Sequence, residues 1–489
     1  MADALPEHGV PAQEILDELC ALRRADQPTH GGRLFAYVYD PGLAGLDDLA
    51  NAAYALSAPV NGLDPTAFPS LLAMENALVG AAAKLLGGGP GSSAPDVVGN
   101  VTSGGTESLI LAVKAARDAH PAIESPRIVV PVTGHAAFAK AARYLGVRLD
   151  AVPVDPATLR PAAADIVAAI TADTVLVACS APAYAHGVVD PVEEIAKVAA
   201  AAGVRCHVDA CFGGWVLPYL RRLGADLPPF DFSVPGVTSI SVDLHKYAYA
   251  PKGTSILLHR DPGLRAPQYF AFGDWPGYTM VNPGVSSTRS GGPIAAAYAT
   301  LRRIGDEGYL RLAATTRDAV RALAAAVEGV EGLRLMAPAS STVVCFTAEP
   351  GGPDLFVLAD ELTARGFHTQ PQMHYADLPA SIHLTVTAAV APHVAEFATA
   401  LADAVAAARV LGPVQLPAQV LATVTGLDPA ELTGDVVAAL AGALGMGGEG
   451  GPLPERMAVV NALLDAAPVA IRERLLVEFL GLLQRPTFD

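Results

Sequence analysis

Ser239-Ile-Ser-Val-Asp-Leu-His-Lys-Tyr-Ala-Tyr-Ala-Pro-Lys-Gly253 begins as a β-branched run, turns polar at Asp243 and delivers His245 and Lys246 where a buried strand ends. A lysine at a strand end in an apolar pocket loses its charge more easily than one in water, and a neutral amine attacks a carbonyl to form a Schiff base. Taken alone, His-Lys is an ordinary solvated loop pair, because lysine is usually exposed. The neighbours decide between the two readings.

Working outward, the stretches before it alternate apolar strands with helices from about residue 97, the pattern of a parallel α/β sheet. Val97–Thr102 runs into Ser103-Gly-Gly-Thr-Glu-Ser108 and a helix over 107–118. Small residues there let a ligand approach the backbone, and the helix start offers free N–H groups and the positive dipole end to a phosphate. The same residues also make a good helix cap. Arg127–Pro131 is the next strand, followed by His135 at the start of a helix over 136–145; it is a capped surface residue or a ring laid on a cofactor. Thr174–Cys179 is a third strand, then Ala181-Pro-Ala-Tyr-Ala-His-Gly-Val-Val-Asp190 and a helix over 192–202. Val204–Asp209 ends in an acid at the carboxyl end of a buried strand, where open α/β sheets place ligands, although a helix cap explains it equally. A Schiff-base lysine serving pyridoxal phosphate needs an anion for the ring nitrogen, a face to stack on and a phosphate cradle. Asp209, His135 and Gly104-Gly105-Thr106 supply one candidate for each, in plausible contexts.

The remainder frames this unit. An amphipathic helix over 11–25 carries Ile15, Leu16, Leu19 and Leu22 on one face and is expected to dock. Loop and short strand follow over 31–39 and 61–69, around another helix, and then comes a helix over 70–86. After a long helix near 291–326, strands at 333–336, 341–346 and 382–387 with helices at 354–365 and 392–408 make a compact α/β layer. The last stretch has a helix near 429–444, a Gly-rich hinge at 445–452 and an amphipathic helix with Leu475, Leu476, Phe479, Leu480 and Leu483 on one side. The expected domains are therefore an N-terminal segment 1–90, a large domain 91–325, a small domain 326–410 and a helical extension 411–489.

Composition narrows the function. The chain's 489 residues are 52% hydrophobic and 17% charged, enough for two or three domains and a large core. A net charge of −17 without a basic run argues against nucleic acid or an anionic membrane surface as the main partner. The five cysteines, at 20, 179, 206, 211 and 345, are in no metal-ligand spacing and imply a reduced protein with no metal site. No basic-then-apolar leader and no apolar span of membrane length occurs, so the expectation is a cytoplasmic protein without membrane insertion.

Val101-Thr-Ser-Gly-Gly-Thr-Glu-Ser108, His135 to Tyr144, His186-Gly-Val-Val-Asp-Pro191, His207-Val-Asp-Ala-Cys-Phe-Gly-Gly214, Val237–Ser241, His245-Lys246 and Ala250-Pro-Lys-Gly253 together resemble the fold-type I, pyridoxal-phosphate-dependent group II decarboxylase superfamily. Within it the chain is most similar to the sphingosine-1-phosphate lyase family, over about residues 14–408. The resemblance implies the α/β PLP-dependent transferase fold: a large domain with a mainly parallel seven-stranded sheet and a small C-terminal α/β domain. It implies Lys246 as the lysine of the Schiff base, Asp209 as partner of the pyridinium nitrogen and His135 as the stacking residue. Gly104, Gly105, Thr106 and His245 would hold the phosphate, and Tyr39 and Lys252 match positions near the substrate's polar end. A partner-subunit loop resembling Ser287-Thr-Arg-Ser-Gly291-Gly292 completes the site in the family, which implies an obligate homodimer.

The match departs at Asn61-Gly-Leu-Asp-Pro65, where such lyases carry Asn-Pro-Leu-His-Pro. An acid at Asp64 repels a phosphate, at a cost of order 1 kcal/mol at partly shielded range. The expected activity is a carbon–carbon lyase acting on an amino acid or amino alcohol, with two chemistries open. Retro-aldol cleavage gives an aldehyde, with Lys252 or a tyrosine assisting; decarboxylation releases CO2, with Arg289 orienting the carboxylate. An aminotransferase and a catalytically silent scaffold are the alternatives.

Overall fold

The computed structural model describes residues 5–443 and 456–484, so the expected hinge at 445–452 lies outside the described residues. Seven strands form the central sheet: β1 (Val98–Thr102), β2 (Arg127–Pro131), β3 (Arg148–Val152), β4 (Thr174–Ser180), β5 (Arg205–Asp209), β6 (Val237–Asp243) and β7 (Ser255–His259). Their order is β1-β7-β6-β5-β4-β2-β3, and β7 alone runs against its neighbours. Every residue of β4 and β7 is buried, as befits strands with both faces covered, and this is why β4 reads as an unbroken apolar run. Two strands of this sheet have no counterpart in the sequence reading. β3 is a polar edge strand whose Asp150 pairs with Arg127 on β2, which hides its periodicity. β7 follows Lys246 after so short a turn that its Ile256-Leu-Leu258 run merges with the motif.

The helix expected near 291–326 spans Gly292–Glu328, broken at Gly305, and carries the chain into the small domain. There four short antiparallel strands, in the order Leu333–Leu335, Val343–Ala348, Ser381–Thr385, Gln370–Gln372, lie against helices Leu355–Ala364 and Val394–Leu411. Asp354 caps the first of these by accepting from the backbone N–H of Phe356 and Val357. Phe35 joins this domain's core with Phe346, Phe367 and Phe397. Instead of the short strand expected over 31–39, the chain makes a single bridge at Leu34–His368 and clips Phe35 in place with backbone bonds to His368 and Thr385.

Two amphipathic faces point differently from expectation. Helix Ala12–Leu22 buries none of its residues, so Ile15, Leu16, Leu19 and Leu22 stay exposed rather than docked on this chain. In the C-terminal unit, helices Ala418–Gly426, Gly434–Ala443, Ala458–Ala466 and Val469–Leu483 share a core of Val420, Val424, Leu440, Leu463, Ile471 and Leu475. Of the apolar row expected on the last helix only Leu475 is buried; Leu476, Phe479, Leu480 and Leu483 are exposed. The helix turns its Ile471–Leu475 edge inward, because a stripe this wide covers more than one face. No helix among the described residues is long and apolar enough to cross a membrane.

Candidate active site

The topology gathers the candidates along the carboxyl edge of the sheet. Gly104–Thr106 follow β1, His135 follows β2, Asp209 ends β5 and His245-Lys246 follow β6. Ligands of open α/β sheets bind at this edge. Because β7 is antiparallel, it starts at the same edge, and the turn into it brings Lys252 back.

Lys246 corrects one expectation. Burial, the largest single influence, pushes its amine toward neutrality, but the carboxylate of Asp243, buried and 2.9 Å from Nζ, together with Tyr39, Cys211 and Asp209, outweighs it and holds the ammonium above the ordinary lysine range. Asp243 itself is lowered: burial would raise it, and the charges of Lys246 and His245 more than compensate. Its Oδ2 also stands 3.5 Å from His245 Nε2, and its Oδ1 has no partner. This acid is the residue that the sequence reading missed. The available signal was its place three residues before the lysine at the end of a buried strand.

The helix Gly105–Asp118 begins against the same group. A methyl group at Gly105 would stand 2.8 Å from Cys211 Sγ and 2.9 Å from both carboxylate oxygens of Asp243, so only glycine fits. At Gly104 the nearest such neighbour is His245 Cε1, at 3.6 Å. Thr106 is exposed in the first turn. Thr254 N–H donates to His245 Nδ1 at 3.3 Å, which fixes that ring, and burial lowers its proton affinity. Asp209 is buried; its Oδ1 accepts from Cys211 N–H at 3.1 Å and from Ser241 Oγ at 3.5 Å. Behind it, His207 bonds Ser239 and Ser241, and burial pushes this histidine down to about 3, leaving it neutral. His135 is exposed, and its Nδ1 accepts from Ala137 N–H at 3.1 Å, a bond that fixes the ring at the start of the helix Ala137–Leu145.

Aromatic rings wall the other side. Lys246 Nζ lies 5.8 Å from the centroid of Phe212, and Tyr39 packs edge-on against Phe212 and Tyr247. Burial raises the Tyr39 phenol, partly offset by the Lys246 charge, so it keeps its proton. Lys252 Nζ sits 5.0 Å over the Tyr39 ring and donates to Tyr37 O at 2.8 Å. Burial, then the charge of Lys246, lowers its proton affinity below that of a free lysine. Tyr184, also absent from the sequence candidates, stacks on His383 at 4.5 Å and meets Phe212 at 5.6 Å.

The remaining candidates form a separate cluster. Arg289 is committed: its guanidinium pairs with buried Glu75 at 3.0 Å and donates to Val101 O at 3.1 Å, leaving no free fork for a carboxylate. Asn61 Oδ1 accepts from Leu63 N–H and Arg289 N–H. Asp64 is exposed, and its carboxylate accepts from the Thr66 hydroxyl and backbone N–H, bonds that lower its proton affinity. Gly291 packs where a side chain would strike Ser57 O at 2.8 Å, and Ser287 is half-buried in the preceding loop. That loop is tied to the phosphate-cradle helix through Val285 N–H and Glu107.

A lysine, an acid at a neighbouring strand end and a glycine-cleared helix start on one sheet edge suit a pyridoxal-phosphate-dependent enzyme, and the relatives below make it a lyase. The conserved pyridoxal-dependent decarboxylase domain matches residues 27–349, and the chain belongs to that family. A second profile, the C-terminal HTH domain of pyridoxal-dependent enzymes, matches residues 418–482. The sphingosine-1-phosphate lyase of Dictyostelium discoideum is 38% identical over 387 residues, 78% of this chain and 70% of the relative. A probable L-tyrosine/L-aspartate decarboxylase of Methanothermobacter thermautotrophicus is 33% identical over 65% of this chain and 84% of its own length. The solved sphingosine-1-phosphate lyase of Burkholderia pseudomallei superposes with a TM-score of 0.78 at 36% identity, covering 84% of this chain and 94% of that one. The residues present fit pyridoxal phosphate: the helix start that Gly105 keeps clear of a side chain suits its phosphate, buried Asp209 its ring nitrogen and the amine of Lys246 its aldehyde. When bound, the cofactor supplies that aldehyde and a ring able to take the electron pair released at a substrate α-carbon.

Proposed function

We propose that this lyase is an aldehyde-lyase, cleaving the Cα–Cβ bond of an amine that carries a hydroxyl on its β-carbon. The observation that supports this most is the second amine: Lys252, with its lowered proton affinity, over the ring of a Tyr39 that keeps its proton. Lys252 Nζ accepts the β-hydroxyl proton, the aldehyde departs, and the Tyr39 hydroxyl or Lys246 returns a proton to the α-carbon. Asp209, His135, Gly104, Gly105, Thr106 and His245 hold the cofactor. Asn61 and Asp64 are assigned to the substrate's polar end by the family resemblance, and an acid there disfavours phosphate. The working form is a cytoplasmic homodimer, with Ser287 and Gly291 reaching the partner's site; the uncovered apolar row Ile15, Leu16, Leu19 and Leu22 supports the dimer.

Decarboxylation is the second reading, favoured by the decarboxylase relative; it requires a carboxylate-orienting group other than Arg289, which is held by Glu75. The test is a product assay: purified chain with pyridoxal phosphate, incubated with amino acids, β-hydroxy amino acids and amino alcohols with and without phosphate, read by mass spectrometry. An aldehyde together with a smaller amine or amino acid, absent in Lys246→Ala, is expected. An amine one CO2 lighter overturns the aldehyde-lyase in favour of the decarboxylase.

A further inference from the structure

The C-terminal unit matches a helix-turn-helix profile, yet its charge is wrong for nucleic acid. Residues 418–482 hold three arginines, no lysine and eight acids, and each arginine is occupied. Arg456 pairs with Glu361, Arg472 donates to the carbonyls of Leu464, Asp465 and Ala467, and Arg474 bonds Leu432 O and Glu478. Phosphate binding rests on free cations, and among the described residues this unit offers none.

Its polar groups are spent on the enzyme body instead. Buried Asp360 of the small domain accepts from Met457 N–H at 2.9 Å and Ala458 N–H at 3.0 Å, capping the helix Ala458–Ala466 from outside. At the far end of that helix Asp465 grips His374 twice, accepting from its backbone N–H at 2.8 Å and bonding Nδ1 at 2.7 Å. His374 closely follows the strand Gln370–Gln372, which is three residues long, half-buried and paired on one side only. So short an edge strand does not hold itself in place. It nevertheless carries part of the pocket wall: Gln370 Oε1 accepts from Tyr184 Oη at 2.7 Å, and Gln372 Nε2 donates to Ala185 O at 2.9 Å. Tyr184 in turn packs on Phe212, the ring beside Lys246.

We propose that the C-terminal unit is an intramolecular brace, in which Asp465 is a positioning residue that fixes strand Gln370–Gln372 through His374 and so holds the Tyr184 wall of the Lys246 pocket. The brace needs only the pocket geometry and is independent of which bond the enzyme breaks. Hydrogen exchange on the full-length chain with pyridoxal phosphate bound tests it, comparing the parent with Asp465→Ala, Asp465→Asn and Glu473→Gln. The last removes a charge from the same unit at its exposed contact with Arg143. In Asp465→Ala, exchange is expected to rise about tenfold at the His374 amide and several-fold at the Ala183 and Gly187 amides, the scale of one lost hydrogen bond. Helix Gly105–Asp118 and the absorbance of the lysine-bound cofactor stay unchanged. Asp465→Asn, which keeps an acceptor for the backbone N–H, falls between the two, and Glu473→Gln matches the parent. Faster exchange confined to 456–484, or spread over the whole chain, overturns the brace.

Discussion

Replacing Asp243 by asparagine keeps the shape of a buried side chain and removes the charge 2.9 Å from Lys246 Nζ. The largest influence opposing burial is then gone, and the amine's proton affinity falls. At pH 7 a larger share of Lys246 is neutral, so the variant is expected to capture pyridoxal phosphate about tenfold faster or more, followed by absorbance. Capture at the parent rate would show that Asp243 does not govern the lysine. At this scale the placement of Lys246 and of the β5 acid on one sheet edge was legible, because each follows an apolar run with a residue that such runs rarely contain. Asp243 was not, since an acid three residues before a lysine reads equally as a cap. Arg289 was misjudged because its partner, Glu75, lies on a helix 214 positions away. A sequence shows a charge but not what neutralises it.

The break in helix Gly292–Glu328 makes a prediction about an element. Gly305 has φ of 65° and ψ of 170°, a conformation that side chains resist, yet nothing lies within 4 Å of where its Cβ would be. Gly305→Ala therefore meets backbone strain rather than crowding, and about 1–3 kcal/mol of stability is expected to be lost in urea unfolding. An unchanged midpoint would mean that the helix straightens there freely. Elements buried on both faces were legible, as β4 and β6 show. The polar edge strand β3 and the three-residue strand Gln370–Gln372 were not, because their place comes from neighbours rather than from periodicity. The last helix shows the same limit: a wide apolar stripe announces a helix but not which edge turns inward.

Over the whole molecule, acidification is expected to destabilise the fold. Burial pushes His207 down to about 3 and His186, His259 and His383 down to about 4, so the native state keeps them neutral while the unfolded chain protonates them near pH 6.5. Their contribution is complete above pH 6.5 and is lost as the pH falls toward 4. Asp190, pushed up to about 7 by burial, acts the other way between about pH 4 and 7, leaving a net uptake of about three protons on unfolding. Each contributes a slope of about 1.4 kcal/mol per pH unit. The urea midpoint thus drops steadily from pH 7 to 5, and a flat profile would contradict the buried histidines. The doubly covered sheet and its small companion domain were legible as wholes, from alternating elements, whereas the reversal of β7 was not. That reversal has a consequence for how the two amines stay together. A parallel neighbour to β6 would need a crossover of a dozen residues or more before regaining the carboxyl edge. The antiparallel connection puts Lys246 and Lys252 on the single loop between β6 and β7, so their spacing is a local property of the chain. Insertions elsewhere in the sheet leave it intact, while a single residue added between them would part the pair.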